Sequence, residues 1–190
     1  MTRAKTWLHA DERLLERELP DGYLDEWAER LRAAKAEQTA NLAPAMVFRI
    51  GHELLALPAG LFSQVTSSLP VHRVPHRDAK LLTGVVNVRG ELLPCISLAH
   101  MLELSADFDG GGQGRYGRRM AVVEKDGRWV FPISEMLGMS RYHPEKLAEV
   151  PATVARALRK FTLGMFSING TPVGLLDHEL LFYTVKVGLA

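Results

Sequence analysis

The sequence has a single cysteine, Cys95, among 190 residues. One thiol cannot close an intrachain disulfide, and a zinc site built on cysteines is excluded with it. Set in an apolar run, Cys95 reads as a small core hydrophobe. An excess of charge of either sign is also missing: 23 Lys and Arg face 22 Asp and Glu, for a net charge of +1. A dedicated nucleic-acid binder carries a basic excess to neutralise phosphates, so that class is disfavoured, and nothing invokes an anionic membrane surface. Aromatic residues are sparse, at 7%, and their spacing builds no stacking platform. No apolar run is long enough to span a bilayer, so no membrane insertion is expected. The opening segment MTRAKTWLHADERLLE lacks the apolar core of a secretory signal. A reducing, cytoplasmic setting is the expectation.

What is present is enough for a substantial core: 47% of residues are hydrophobic, and the length suits one domain or one domain with an appendage. The composition changes near Asn41 to Pro44. Before it, Leu24, Trp27, Ala28, Leu31 and Ala34 fall on one stripe of an amphipathic helix predicted from about Asp21 to Ala40. Asp21 can cap it, and Asp25 and Glu26 sit where the helix dipole favours anions. A shorter helix is predicted from Asp11 to Arg17. The stripe requires a partner surface, either the chain's own β domain or another protein. The expected division is a helical extension over 1–44, a domain over 45–186 and a tail over 187–190.

After Ala45 the texture is β. Strands are predicted at Met46–Ile50, Glu53–Leu57, Phe62–Ser67, Val71–Val74, Met120–Glu124, Arg128–Ile133 and Met139–Tyr142. Phe161–Ile168 and Thr171–Leu176 flank Asn169-Gly170, a pair suited to a type I′ hairpin. Short helices are expected near Leu98–Leu102, Val154–Arg159 and, capped by Asp177, at Leu180–Phe182. So many short strands with Gly, Pro and Asn-Gly punctuation point to small barrels, and they are too numerous for one five-stranded barrel.

Few constellations could carry chemistry. The glycines of the DFDGGGQGRYG stretch are followed by no Lys-Ser or Lys-Thr at phosphate-loop spacing. His72 and His76 are four apart, but Pro75 prevents the helix that would put them on one face. Glu135, at an apolar strand end, has no evident catalytic partner. Asp177 and Glu179 lie at a predicted cap, and Ser97, Ser134 and Ser140 form no nucleophile elbow. No enzymatic activity, cofactor or metal is expected.

The most informative stretch is LTGVVNVRGELLPCISLAHMLEL, Leu82 to Leu104. It predicts two short strands around a tight Asn87-Val88-Arg89-Gly90 turn, with Leu92, Leu93, Cys95 and Ile96 in the second run. Pro94 there predicts an edge position or a bulge, because it has no N–H for a ladder. Arg89 is either a solvated turn charge or a recognition residue. Phe62, bulky and apolar beside Ser63 and Gln64, is either a buried residue or an anchor for a partner.

This stretch resembles the signature of the CheW-like domain, the adaptor of bacterial chemosensory arrays. The matching residues are Gly84, Val85, Asn87, Arg89, Gly90, Pro94 and Leu98, with Val88 for Leu, Cys95 for Val and Ser97 for the usual Asp. WVFPISEMLG (Trp129 to Gly138), with Ser134 for Asp, and Thr171 to Asp177 extend the likeness over about Ala45 to Val185. The resemblance implies a mainly β fold of two intertwined five-stranded SH3-like barrels. It also implies a non-catalytic adaptor between a methyl-accepting chemotaxis receptor and the regulatory domain of a CheA-type histidine kinase, recruited to membrane receptor arrays. Receptor binding then maps onto Phe62, Gln64, Gly84, Asn87 and Arg89, a helix-in-groove mode to which an arginine fork is suited. The segment Trp7 to Leu31 also resembles the WspD branch, which serves a surface-sensing pathway with cyclic-di-GMP output. The alternative from another class is a β-barrel module that binds a small ligand or nucleic acid.

Overall fold

A computed structural model gives the architecture, and it describes residues 22–39, 41–75, 81–104, 119–125, 127–152 and 154–189. The chain divides into two compact units, 1–41 and 42–190. In the first unit a single described helix, α1 (Tyr23–Thr39), carries Asp25 and Glu26 in its first turn. Leu24, Trp27 and Leu31 are exposed along it, and the Tyr23 and Trp27 rings are 6.2 Å apart. The expected helix at Asp11–Arg17 and the Asp21 cap lie outside the described residues, as does the whole glycine-rich stretch DFDGGGQGRYG.

The second unit is β-rich. Its strands are β1 (Ala43–Ile50), β2 (Glu53–Pro58), β3 (Phe62–Ser67), β4 (Val71–His72), β5 (Leu82–Val88), β6 (Glu91–Ile96), β7 (Arg119–Glu124), β8 (Arg128–Ile133), β9 (Glu135–Tyr142), β10 (Thr162–Ile168) and β11 (Thr171–Leu176). Short helices α2 (Leu98–Met101) and α3 (Arg156–Lys160) and a longer α4 (His178–Leu189) complete it. One sheet runs β10-β11-β2-β1-β9 and the other β3-β7-β8-β6-β5-β4. Helix is scarce in this unit, and the two-sheet, mainly β architecture is the one the sequence predicts.

The apolar runs explain how the sheets pack. A strand buried on both faces has no polar positions to spare. In β1, Ala45 and Val47 join one cluster while Phe48 and Ile50 join another. In β8, Val130 lies in a third cluster and Trp129, Phe131 and Ile133 in the central one. Each sheet thus wraps a small core of its own, and the outer faces of β1, β2, β7 and β8 share a large core between them. α4 closes that shared core with Leu181, Phe182 and Val185.

The unit contains the same hairpin–helix element twice, which the sequence reading missed. Hairpin β5–β6 and hairpin β10–β11 begin at Leu82 and Thr162, 80 residues apart, and each leads into a helix. Both lose register two residues in, at Gly84 and Gly164. Both following helices have a side-chain oxygen on a backbone N–H: Ser97 Oγ accepts from His100 at 3.2 Å, and Asp177 Oδ1 from Leu180 at 3.1 Å. The halves exchange strands, since β11 pairs with β2 and β6 with β8, both in parallel. That exchange intertwines the barrels.

Several local expectations need correction. β6 is not an edge strand, for it lies between β8 and β5, and its register with β5 is continuous through Pro94. The proline is tolerated because the ladder to β8 is confined to Cys95 opposite Val130. β9 begins at Glu135 rather than Met139, and it is bulged: Gly138 faces Val47 and Met136 faces Phe48, which leaves Leu137 unopposed and exposed. The helix expected at Val154–Arg159 starts at Arg156, because Ala155 has a non-helical backbone, with φ −51° and ψ 140°. α4 carries helical structure through residues 187–189.

Candidate functional site

The β5–β6 hairpin turns in two residues, Arg89 and Gly90, with φ of 54° and 92°. Val88, expected in the turn, is instead the last residue of β5 and points into the first barrel's core. Two consecutive positive φ values define a type I′ turn, the geometry that matches strand twist. Gly90 meets no steric resistance, but an arginine in this region does. The turn is secured by Asn87, whose Oδ1 accepts from Gly90 N–H at 2.7 Å. Arg89 is exposed and has no ion pair with another described residue.

Charge surrounds the turn. Glu91, the first residue of β6, is paired with Arg128, the first residue of β8. The Arg128 Nε lies 3.7 Å from a Glu124 carboxylate oxygen, too far for a hydrogen bond, and it has no other acceptor among the described residues. Arg128 therefore spans β6 and β7 from the strand between them. Leu92, opposite Asn87, is 66% exposed beside this charge. Sequence reasoning placed Leu92 in the apolar strand run and passed over Glu91, Arg128 and Glu124. The alternation that buries Leu93 and Cys95 was the available signal that Leu92 faces out.

The five predicted residues fall on two strands of one sheet, β3 and β5, and on the turn that follows β5. Asn87 and Arg89 share the hairpin tip. Phe62 and Gln64 lie together on β3, at the far side of β7, β8 and β6 from β5. Phe62 is half-buried, with its ring 6.1 Å from that of Phe48, against the central core. Gly84 is buried in β5, and a Cβ there would come within 2.3 Å of the His72 carbonyl oxygen. Its place in the fold is a close crossing of β4 and β5, and it offers no surface of its own.

Other groups singled out in the sequence have structural partners. Glu135 is exposed and pairs with Arg49 Nε at 3.3 Å, not isolated in an apolar pocket. Ser134 Oγ accepts from Gly51 N–H at 3.1 Å and ties together two strand connections. Burial pushes the Cys95 thiol up to about 12, which keeps it protonated and inert. A cleft of about 570 Å³ opens at the mouth of the second barrel, near Arg49, Leu54, Met139, Ile168 and Asn169. No group of three or more potential metal ligands occurs among the described residues. None of the described helices is long and apolar enough to cross a membrane.

Comparisons with known proteins agree with this architecture. A family model described as the CheW-like domain matches residues 44–186. A probable chemotaxis protein CheW of Rhizobium etli is 28% identical over 140 residues, covering 72% of this chain and 85% of that protein. The crystal structure of the scaffolding protein TtCheW from Thermoanaerobacter tengcongensis superposes with a TM-score of 0.60 at 17% identity. That match covers 74% of this chain and 92% of the other, and it supports the fold.

Proposed function

The chain belongs to the CheW-like domain family, whose members are non-catalytic scaffold adaptors, and we propose that it couples a methyl-accepting chemotaxis receptor to the regulatory domain of a CheA-type histidine kinase. The receptor is gripped by Arg89, Asn87, Phe62 and Gln64, with Leu92 as an apolar contact beside the arginine, while Gly84, buried where β5 pairs with β4, shapes the strand that carries the turn. The observation that carries this reading is Arg89 itself. It is an exposed guanidinium without an ion pair among the described residues, on a two-residue turn next to an exposed leucine.

The adaptor works in the cytoplasm, recruited to membrane receptor arrays. The likeness of Trp7 to Leu31 to the WspD branch favours a surface-sensing array with cyclic-di-GMP output. Deleting the gene should then lower cyclic-di-GMP in surface-grown cells; an unchanged level with altered swimming would assign the chain to a motility array instead. The molecular test is Arg89→Glu. Charge reversal at a contact worth about 2 kcal/mol should weaken receptor-tip binding roughly 30-fold. Kinase-domain binding should be retained, and the melting curve should shift little, because exposed turn substitutions stay within about 0.5 kcal/mol. Unchanged receptor affinity would remove Arg89 from the site.

A further inference from the structure

We infer that Arg128 is a positioning residue for the receptor contact: by holding Glu91, it fixes the turn from which Arg89 projects. This rests on the reading of Arg89 as the receptor-binding cation. The comparison that points to it lies within the molecule. The twin hairpin β10–β11 turns through Asn169 and Gly170, with φ of 50° and 81°. Asparagine tolerates that conformation because its short polar side chain can bond locally. The first hairpin places an arginine in the same conformation, at φ 54°, where a long side chain has no such compensation. A turn with an unfavourable residue opens more readily unless something else holds it.

That something is present only on the first hairpin. Glu91 follows the turn directly and is paired with Arg128, which also faces Glu124 at 3.7 Å. In the twin the corresponding strand-opening residues are Thr171 and Glu53, which cannot form an ion pair. The guanidinium fork is suited to serving two carboxylates from one strand. It lies one-third exposed, so water weakens the pairs without abolishing them. Arg128 and the Asn87–Gly90 hydrogen bond thus hold the turn from its two ends. A loosened turn would spread Arg89 over many orientations, and the receptor would have to select among them on binding.

The experiment uses the full chain, a methyl-accepting receptor signalling-tip fragment and a CheA-type regulatory domain. Arg128→Met should weaken receptor binding by about 5- to 10-fold, speed hydrogen exchange at the Gly90 amide and leave kinase-domain binding unchanged. Arg128→Lys should recover part of the affinity, and combining Arg128→Glu with Glu91→Arg should recover more than either reversal alone. Should Arg128→Met fold poorly, Glu91→Gln removes the same ion pair from the turn side and must show the same two losses. Arg89→Glu runs in parallel. If it loses receptor affinity while the Arg128 and Glu91 variants keep both affinity and slow Gly90 exchange, the clamp is wrong and the Arg89 reading stands. If Arg89→Glu itself keeps full affinity, the Arg89 reading falls and takes the positioning role with it.

Discussion

Replacing Arg89 with asparagine should make the protein more stable and less functional at once. The native arginine sits at φ 54° with no ion pair to another described residue. Left-handed backbone costs an ordinary L-residue about 1–2 kcal/mol, a cost that asparagine partly avoids. Asn169 shows the same turn accepting asparagine in this molecule. Loss of the exposed guanidinium should cost no more than about 0.5 kcal/mol. The net expectation is a gain of about 0.5–1 kcal/mol, or roughly 1–4 °C in melting temperature for a domain of this size. Receptor-tip binding, deprived of its cation, should meanwhile fall about 30-fold, equivalent to about 2 kcal/mol. Thermal melts followed by circular dichroism and titration calorimetry with the receptor fragment measure the two effects separately. A melting temperature lowered by several degrees would show that Arg89 holds the fold together, and undiminished binding would show that the strain there serves no contact.

Two other expectations concern the buried residues of the same hairpin. Gly84→Ala would drive a Cβ to within 2.3 Å of the His72 carbonyl oxygen at φ 156°; it should cost about 2–3 kcal/mol. Gly60→Ala, with nothing within 4 Å, should be close to neutral in the same chemical-denaturation assay. The Cys95 thiol, pushed up to about 12 by burial from a value near 9, should resist Ellman's reagent at pH 8 until the protein unfolds. Its raised pKa gives stability that is complete below pH 9 and lost as pH rises toward 12, so Cys95→Ala should flatten the alkaline limb of the stability profile. Rapid native labelling would refute the burial.

The chain's likeness to a known signature was legible because the features that form hairpins are local. Asn169-Gly170 and the Gly-punctuated apolar runs act over a few residues, and they marked the strands, β4 and β9 excepted, nearly to their ends. The Asp177 cap was legible for the same reason. The site was read only in part. Arg89 and Asn87 stand together on one tip, whereas Phe62 and Gln64 lie on β3, with three strands between it and β5 in the order of the sheet. Sequence carried no signal for that separation, because neighbours in a sheet are set by pairing between distant segments.

By itself the sequence determined that the chain would be mainly β, that its short apolar runs would be buried, and that a cation would sit on a tight turn. Those outcomes follow from hydrophobic periodicity and backbone preference, which operate within a window of a few residues. Tertiary structure decided what those elements mean. Pairing of β6 with β8 set Pro94 inside a sheet rather than at its edge. The alternation of β6, fixed by its neighbours, sent Leu92 outward. Pairing β8 beside β6 brought Arg128 to Glu91, 37 residues away. An ion pair between such distant positions exists only once the sheet has closed, so nothing local could have announced it.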